Sequence, residues 1–465
     1  MQRQSRSAIV MGTLALSGLL MGGVASQAAE VRSGWSAGVA TAEITPDGPV
    51  WLAGYAARKE PSNGVLAPIF AKALALRDAE GETVVIVSLD LVGVKRPLTH
   101  RVASLVSEAY GLPPEALTLV SSHTHCAPLP SDTDGRARAY GIDDEAMEPN
   151  RAWTKRLEGT IVEIVGKALE SLRPASAGFG VGSCEFAMNP REPTETGFKI
   201  GSNPDGPVDH SVPVLDVTGE DGEPIAVVFG YACHCTTLGG DMLQVCGDYA
   251  GFAQEGIEAD RPGAVALFLT GCGADSNPAP RGTVELVRQH GRRLADAVGA
   301  VLDSELRPLS GPIGAALVEP KLRFAGPTDR ASYEDRLDDG GPRAAHARRM
   351  IEDLDAGKSI ASEHPYPIHA FALGDLTMVT LGGEVVVDYA IRLQEELAEA
   401  DRPLWVVGYA DDVFGYIPSL RVLREGGYEG GDAFYYSTFP TPFAEDVEPL
   451  IVDGVREAVA RARGR

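Results

Sequence analysis

No CxxC pair stands anywhere in the chain, and basic side chains are outnumbered 41 to 65 by acidic ones. Past the first thirty residues, no apolar run approaches the roughly 20 residues that a membrane-spanning helix needs. Without CxxC spacing a structural zinc ribbon is excluded. A net charge of −24 with no basic cluster repels phosphate backbones, so nucleic acid is not expected as a partner. The glycine run Gly271-Cys-Gly-Ala-Asp-Ser276 lacks the third glycine of a dinucleotide fingerprint and the lysine of a phosphate loop. The match to GxSxG, Gly34-Trp-Ser-Ala-Gly38, has no strand before it and no helix after it, which argues against a nucleophile elbow. There is no repeat at a fixed period and no low-complexity linker to mark a domain boundary.

What is present begins with an export signal. Arg3 and Arg6 precede an apolar stretch from Ala8 to Val24, followed by the small residues Ala25, Ser26, Ala28 and Ala29. This reads as a cleavable signal peptide over residues 1–28, leaving a mature domain of residues 29–465 that is secreted or periplasmic. An oxidising compartment permits disulfides among the six cysteines, with connectivity left open. Beyond Trp35, β-branched runs alternate with Ala/Leu/Glu-rich helical patterns, which predicts an α/β fold. Strands are expected at Thr83–Leu89, Leu117–Ser121, Ile225–Cys233, Val265–Thr270, Leu376–Leu381 and Leu404–Val407. Helices are expected at Thr99–Tyr110, Tyr249–Ala259, Thr283–Ser304, Asp388–Ala398 and Glu445–Ala460, where apolar residues recur at three- and four-residue spacing. The charged stretch Gly326–Glu363 reads as an insertion, either a lid or a solvated helical hairpin.

The residues suited to chemistry follow strand ends. His123-Thr124-His125 comes directly after the Leu117–Ser121 strand, and in extended geometry both imidazoles point to one side. Such a pair serves as metal ligands or acid and base, or simply hydrogen-bonds loop backbone. His234, in Tyr231-Ala-Cys-His-Cys235, follows another apolar strand and brings a third imidazole to the same sheet edge. Cys233 and Cys235 alternate with it and on a strand face away from it, as core or disulfide residues. Glu384 follows Gly382-Gly383 and opens the next helix, as a metal-ligating carboxylate or as a helix-start glutamate favoured by the macrodipole. Ser276 offers a hydroxyl that the end of the Val265–Thr270 strand presents at the sheet edge, or simply caps a turn. Tyr416 and Tyr428 lie in glycine-flanked loops, where ligand contact and simple packing are both open.

In this order, Ala37-Gly-Val-Ala-Thr-Ala-Glu-Ile-Thr-Pro46, Gly54-Tyr55, Val87-Ser-Leu-Asp-Leu91, Ser121-Ser-His-Thr-His125, Tyr231-Ala-Cys-His234, Gly247-Asp-Tyr-Ala-Gly251, Gly271-Cys-Gly-Ala-Asp-Ser276 and Gly383-Glu384 resemble the zinc-dependent N-terminal catalytic domain of the neutral/alkaline ceramidases. The resemblance implies mixed β-sheets packed together and flanked by helices, without the immunoglobulin-like C-terminal domain of the well-known members. It implies Zn2+ held by His123, His234, Glu384 and Tyr416. His125 takes the place of the histidine that serves as acid/base or hydrogen-bond partner at the scissile amide, Tyr428 that of the substrate-contacting tyrosine, and Ser276 that of the proposed nucleophile or substrate-orienting hydroxyl. Arg191, in Asn189-Pro-Arg191, is the nearest counterpart of a site-lining arginine, displaced by one position from the family's Asn-Arg. The implied activity is hydrolysis of the ceramide N-acyl amide to sphingosine and a fatty acid by a zinc-activated water. A different N-acyl amide, or a non-catalytic binding protein retaining the fold, are the alternatives. The implied partner is a lipid or other N-acyl amide, met in transient contact with a membrane surface.

Overall fold

A computed structural model describes residues 34–131, 136–326 and 328–464. The signal-peptide reading of residues 1–28 lies outside them. The larger sheet is built from β1 (Trp35–Glu43), β2 (Phe70–Arg77), β3 (Thr83–Leu89), β4 (Leu117–Ser121), β5 (Arg173–Ser183), β6 (Ser211–Gly219), β7 (Pro224–Tyr231), β8 (Val265–Thr270) and β9 (Arg307–Leu309). Its order is β8-β7-β6-β5-β1-β2-β3-β4, with β9 added on β5. The smaller sheet runs β10 (Ile313–Val318), β11 (Ile368–Leu373), β12 (Leu376–Leu381) and β13 (Leu404–Val407), in that order.

Three neighbouring pairs are parallel: β3 with β4, β7 with β8, and β12 with β13. Parallel partners need a crossover, and each pair is joined by a helix: Arg96–Tyr110, Asp248–Asp260 and Val387–Leu397 respectively. The first of these carries proline in its opening turn and stops at Gly111, which is left-handed at φ 71°. Strands such as Thr-Val-Val-Ile-Val-Ser-Leu are buried almost throughout because both faces of the sheet are covered.

The two sheets face each other. Phe371, Leu373, Met378, Trp405 and Val407 of the smaller sheet share one core with Val228, Leu215 and Phe179 of the larger, and the Phe179 and Trp405 rings lie 6.0 Å apart. Alternate residues Ala370, Ala372, Val379 and Val406 turn the other way, onto Ile451 and Val455 of the helix Val447–Arg463 and Leu393 of the helix Val387–Leu397. This two-residue period is what a strand covered on both faces requires. On the far side of the larger sheet, the helix Glu148–Glu170 comes so close that a Cβ at Gly38 would stand 2.2 Å from the Ala168 carbonyl oxygen. The architecture is therefore helices, sheet, sheet, helices, in agreement with the expected fold.

Residues 326–363 are not a free hairpin. Strands Lys321–Arg323 and Glu363–Pro365 pair at the base. The helix Gly341–Asp355 buries Ala344, His346, Ala347 and Met350, with Tyr333 completing a small separate core.

Candidate metal centre and active site

The C-terminal ends of β4, β7, β8, β12 and β13 meet at one place, and a short segment after β13 ties them together. Gly408 N–H donates to the Thr270 carbonyl (2.9 Å), Tyr409 N–H to that of Gly383 (3.0 Å), Ala410 N–H to that of Leu381 (3.1 Å) and Asp411 N–H to that of Leu119 (2.9 Å). Ser121 N–H returns a bond to the Tyr409 carbonyl. Among the described residues, four other than glycine have positive φ, namely His123 (62°), Asp248 (50°), Tyr409 (55°) and Asp411 (60°). His123 and Tyr409 belong to this convergence, Asp411 ends its tie, and Asp248 holds the loop after His234 by accepting from Thr237 and Leu238 N–H. Left-handed backbone in such residues persists only where surrounding bonds over-determine it.

Each candidate ligand is fixed by its loop. Thr124, between the two histidines, donates its hydroxyl to the Cys246 carbonyl and accepts from Cys126 N–H. His234 N–H donates to the Ser276 carbonyl. Gly273 is needed beneath it, since a Cβ there would stand 2.5 Å from the Cys233 nitrogen. Glu384 does not open the helix directly. It first pairs with Tyr416 in a two-residue parallel ladder, and the helix starts at Val387.

The side chains then converge. His123 Nδ1–H donates to the Val92 carbonyl (2.5 Å) and His234 Nδ1–H to the Gly273 carbonyl (2.8 Å), leaving Nε2 of each ring pointing inward. Glu384 Oε2 lies 3.2 Å from His123 Nε2 and 3.3 Å from His234 Nε2. The Tyr416 hydroxyl is 3.1 Å from His234 Nε2, and His125 Nε2 is 3.1 Å from His123 Nε2. Burial lowers the pKa of His123 and lowers that of His125 strongly, which favours neutral rings. Burial alone would raise Glu384, but His123 and His234 beside it outweigh this and hold its carboxyl well below the usual carboxylate range.

The Nε2 atoms of His123 and His234 both face Glu384 Oε2 in this buried site, where without a cation they need a shared proton. A divalent cation satisfies all three. The backbone carbonyls on the far ring nitrogens are the outer partners that orient ligating histidines. Nitrogen and oxygen donors of this kind, with a tyrosine alongside, suit a divalent first-row metal ion. The residues present therefore fit a metal ion.

His125 is held from behind. Arg58 is buried and donates to the carbonyls of Ala53, His125 and Met242. The Tyr55 ring meets His125 edge-on at 4.8 Å, and its hydroxyl donates to the Leu238 carbonyl. Tyr409 is wholly buried, with its ring 4.5 Å from that of His123. In front of the histidines a pocket opens, lined by His123, His125 and Glu384 at its floor and by Phe414, Tyr416, Tyr428, Phe434, Tyr436, Phe439 and Phe443 along its walls. Such a cleft, apolar with a few convergent polar groups, is the form of a small-molecule site.

Of the residues singled out from sequence, His123, His125, His234, Glu384 and Tyr416 meet, and Tyr428 joins them on the wall, its ring 5.3 Å from that of Tyr416. Tyr428 lies in the short helix Gly427–Gly430 rather than in a loop. Ser276 is fully buried beside His234, and its hydroxyl has no hydrogen-bond partner. Arg191 does not line the pocket. Its guanidinium pairs with Glu429 (2.7 Å) and Glu425 (3.0 Å) and donates to the Gly426 carbonyl, fixing the backbone that carries Tyr428. Sequence reasoning missed Arg58 and Tyr409, and the tight Gly54-Tyr55 motif was the sole signal near the former.

A family model described as neutral/alkaline non-lysosomal ceramidase, N-terminal, matches residues 35–273. Neutral ceramidase B of Dictyostelium discoideum is 27% identical over 212 residues, 43% of this chain and 28% of that protein. Neutral ceramidase A of the same organism is 24% identical over 250 residues, 51% of this chain and 34% of that protein. The chain thus matches about a third of the length of these curated relatives. The crystal structure of neutral ceramidase from Pseudomonas aeruginosa aligns with a TM-score of 0.70 at 18% identity, covering 92% of this chain and 75% of that one. A ceramidase complexed with C2 aligns with the same values. These two likenesses establish a shared fold.

Proposed function

The chain belongs to the neutral/alkaline non-lysosomal ceramidase family, and from that premise we propose that it is a zinc-dependent amidohydrolase cleaving N-acyl amides, with ceramide as the leading substrate. The observation that carries the reading is the inward set of His123 Nε2, His234 Nε2 and Glu384 Oε2 at the floor of an aromatic pocket. His123, His234, Glu384 and Tyr416 would hold the zinc, whose Lewis acidity polarises an amide carbonyl and brings the pKa of a water down to about 7.

The protein's own groups supply the rest. An amine leaves an amide only when protonated, so a proton carrier must stand beside the scissile bond. His125 fills that role: its ring is held neutral by burial, its Nδ1 is unpartnered, and Arg58 and Tyr55 fix its orientation. It accepts a proton from the attacking water and passes it to the leaving nitrogen. Burial keeps Tyr428 protonated, so its hydroxyl is a hydrogen-bond donor on the wall for the carbonyl oxygen as charge develops there. The phenylalanines take the acyl chain and exclude water. A Ser276 nucleophile would need a base, and its hydroxyl has none within hydrogen-bond distance. The N-terminal reading places the protein outside the cytoplasm. No helix among the described residues is long and apolar enough to cross a membrane.

The test is hydrolysis of a fluorescent N-acyl sphingosine by the purified mature chain, with and without a zinc chelator, alongside metal content of the wild type and His123→Ala. The expected result is about one zinc per chain, turnover abolished by chelator and restored by zinc, and loss of both metal and activity in the variant. Full zinc occupancy in His123→Ala removes His123 from the ligand set. Zinc-loaded, folded protein inactive on ceramide and on a panel of other N-acyl amides overturns the enzymatic reading in favour of a binding protein.

A further inference from the structure

The pocket wall at residues 432–439 is a short turn, Asp432–Tyr436, followed by irregular chain, with few bonds of its own. Phe434, Tyr436, Ser437 and Phe439 face the pocket. What holds it from outside is the 326–363 segment. His346 is fully buried on the helix Gly341–Asp355, and its Nε2–H donates to the Phe439 carbonyl at 2.6 Å, with its ring 5.0 Å from Phe434. Arg349, one turn on, donates to the Tyr435 carbonyl at 2.7 Å. Arg343 lies over the Tyr435 ring and pairs with Asp432. At the base of the segment, Phe324 stacks on Phe443 and Ala325 N–H donates to the Pro442 carbonyl.

The segment therefore has its own small core on one side and presents a row of donors to the wall's carbonyls on the other. Wall carbonyls that secondary structure would normally satisfy are satisfied here by two side chains from one helix. Losing a charged donor to a partly buried carbonyl removes one of the stronger single hydrogen bonds.

We propose that residues 326–363 form a specificity element, in which His346 and Arg349 act as positioning residues that fix the 432–439 wall and thereby set which acyl chain the pocket accepts. The proposal rests on the amidohydrolase reading for its substrate and on geometry alone for its mechanics, and the two are tested separately. Neither residue touches the reacting atoms. With the wall released, a long acyl chain loses its aromatic bed, whereas an acetyl group never reaches it.

The experiment compares wild type, Arg349→Ala, Arg349→Lys, His346→Ala and Arg348→Ala, the last on the exposed face of the same helix. Hydrogen exchange of the wall peptide reads the mechanics without any substrate. Exchange over 432–439 should quicken by about tenfold or more in Arg349→Ala and His346→Ala, with the peptide around Glu384 unchanged. Arg349→Lys should restore part of the protection, and Arg348→Ala should match wild type. Kinetics on palmitoyl and acetyl amides of sphingosine read the consequence: KM for the palmitoyl substrate should rise about tenfold in Arg349→Ala while kcat and the acetyl substrate hardly change. Unchanged exchange over 432–439 overturns the proposal even if the protein proves inactive on every amide. Parallel loss of kcat on both substrates also overturns it, by showing that the segment supports the fold as a whole.

Discussion

Gly54→Ala tests whether His125 is positioned by close packing. A Cβ on residue 54 would stand 2.3 Å from both Cγ and Nδ1 of the His125 ring, and residue 54 has φ +88°. Carbon atoms in good contact sit about 3.5 Å apart, so the ring or the loop must move by roughly 1 Å. The left-handed backbone costs the alanine about 1–2 kcal/mol and the forced repacking about 1–3 kcal/mol more, a loss of roughly 2–5 kcal/mol. Misplacing a catalytic group by about 1 Å costs on the order of 10²-fold in rate. Gly111→Ala separates the two effects. Gly111 also has positive φ, +71°, but nothing lies within 4 Å of its Cβ direction. That variant should lose only the backbone contribution, about 1–2 kcal/mol by thermal or urea unfolding, at wild-type activity. Unfolding curves, zinc content and kcat/KM are measured on both. Zinc-loaded, folded Gly54→Ala protein with kcat/KM within threefold of wild type would refute the placement of His125 in the reaction.

Two further outcomes follow from the buried groups. Ser276→Ala should keep a rate within about tenfold of wild type, because no base accompanies the hydroxyl; a loss on the order of 10⁴-fold, with acyl-enzyme seen by mass spectrometry of the wild type, would assign it as nucleophile. Burial lowers His346 to about 4, against about 6.5 in an unfolded chain, so folding favours its neutral form. Its contribution is present in full above about pH 6.5 and is lost as the pH falls towards 4, a change of about 3 kcal/mol in unfolding free energy. His346→Gln should flatten the stability profile across that window, and an unchanged slope in the variant would assign the acid sensitivity to other groups.

Much of the fold was legible because many of its strands are covered on both faces. Thr83–Leu89, Leu117–Ser121, Val265–Thr270, Leu376–Leu381 and Leu404–Val407 are runs of apolar and β-branched residues with no charge or glycine, and their observed bounds match the expected ones. The strand Arg173–Ser183 escaped the same reasoning. It reads Arg-Pro-Ala-Ser-Ala-Gly-Phe-Gly-Val-Gly-Ser, and its glycines make room for neighbours: a Cβ at Gly180 or Gly182 would press on Val301 of the helix Val284–Leu302. Glycine spacing of that kind reports tertiary contact, which local periodicity does not contain. The insertion was legible as a charged, separate segment, but its burial against Phe434 and Phe439 depends on residues about ninety positions away.

For the site, the difference lies between side chains that end a strand and side chains that arrive from elsewhere. A candidate ligand after a strand is announced by the apolar run before it, which is why His123, His234 and Glu384 stood out. Tyr409 also follows a strand, yet its role beside His123 depends on a left-handed backbone at φ 55° and on bonds to Ser121, at the end of a strand of the larger sheet, and to Gly383, in the bend after a strand of the smaller one. Arg191 shows the opposite case, a residue whose neighbourhood is right and whose direction is not. Its charge is fully buried, and a buried guanidinium must be paired. Two carboxylates, Glu425 and Glu429, lie within reach on the segment bearing Tyr428, so electrostatics turns the side chain towards them and away from the pocket. Sequence spacing places Arg191 near the site, and the two acids that flank Tyr428 decide that it supports the wall instead of meeting the substrate.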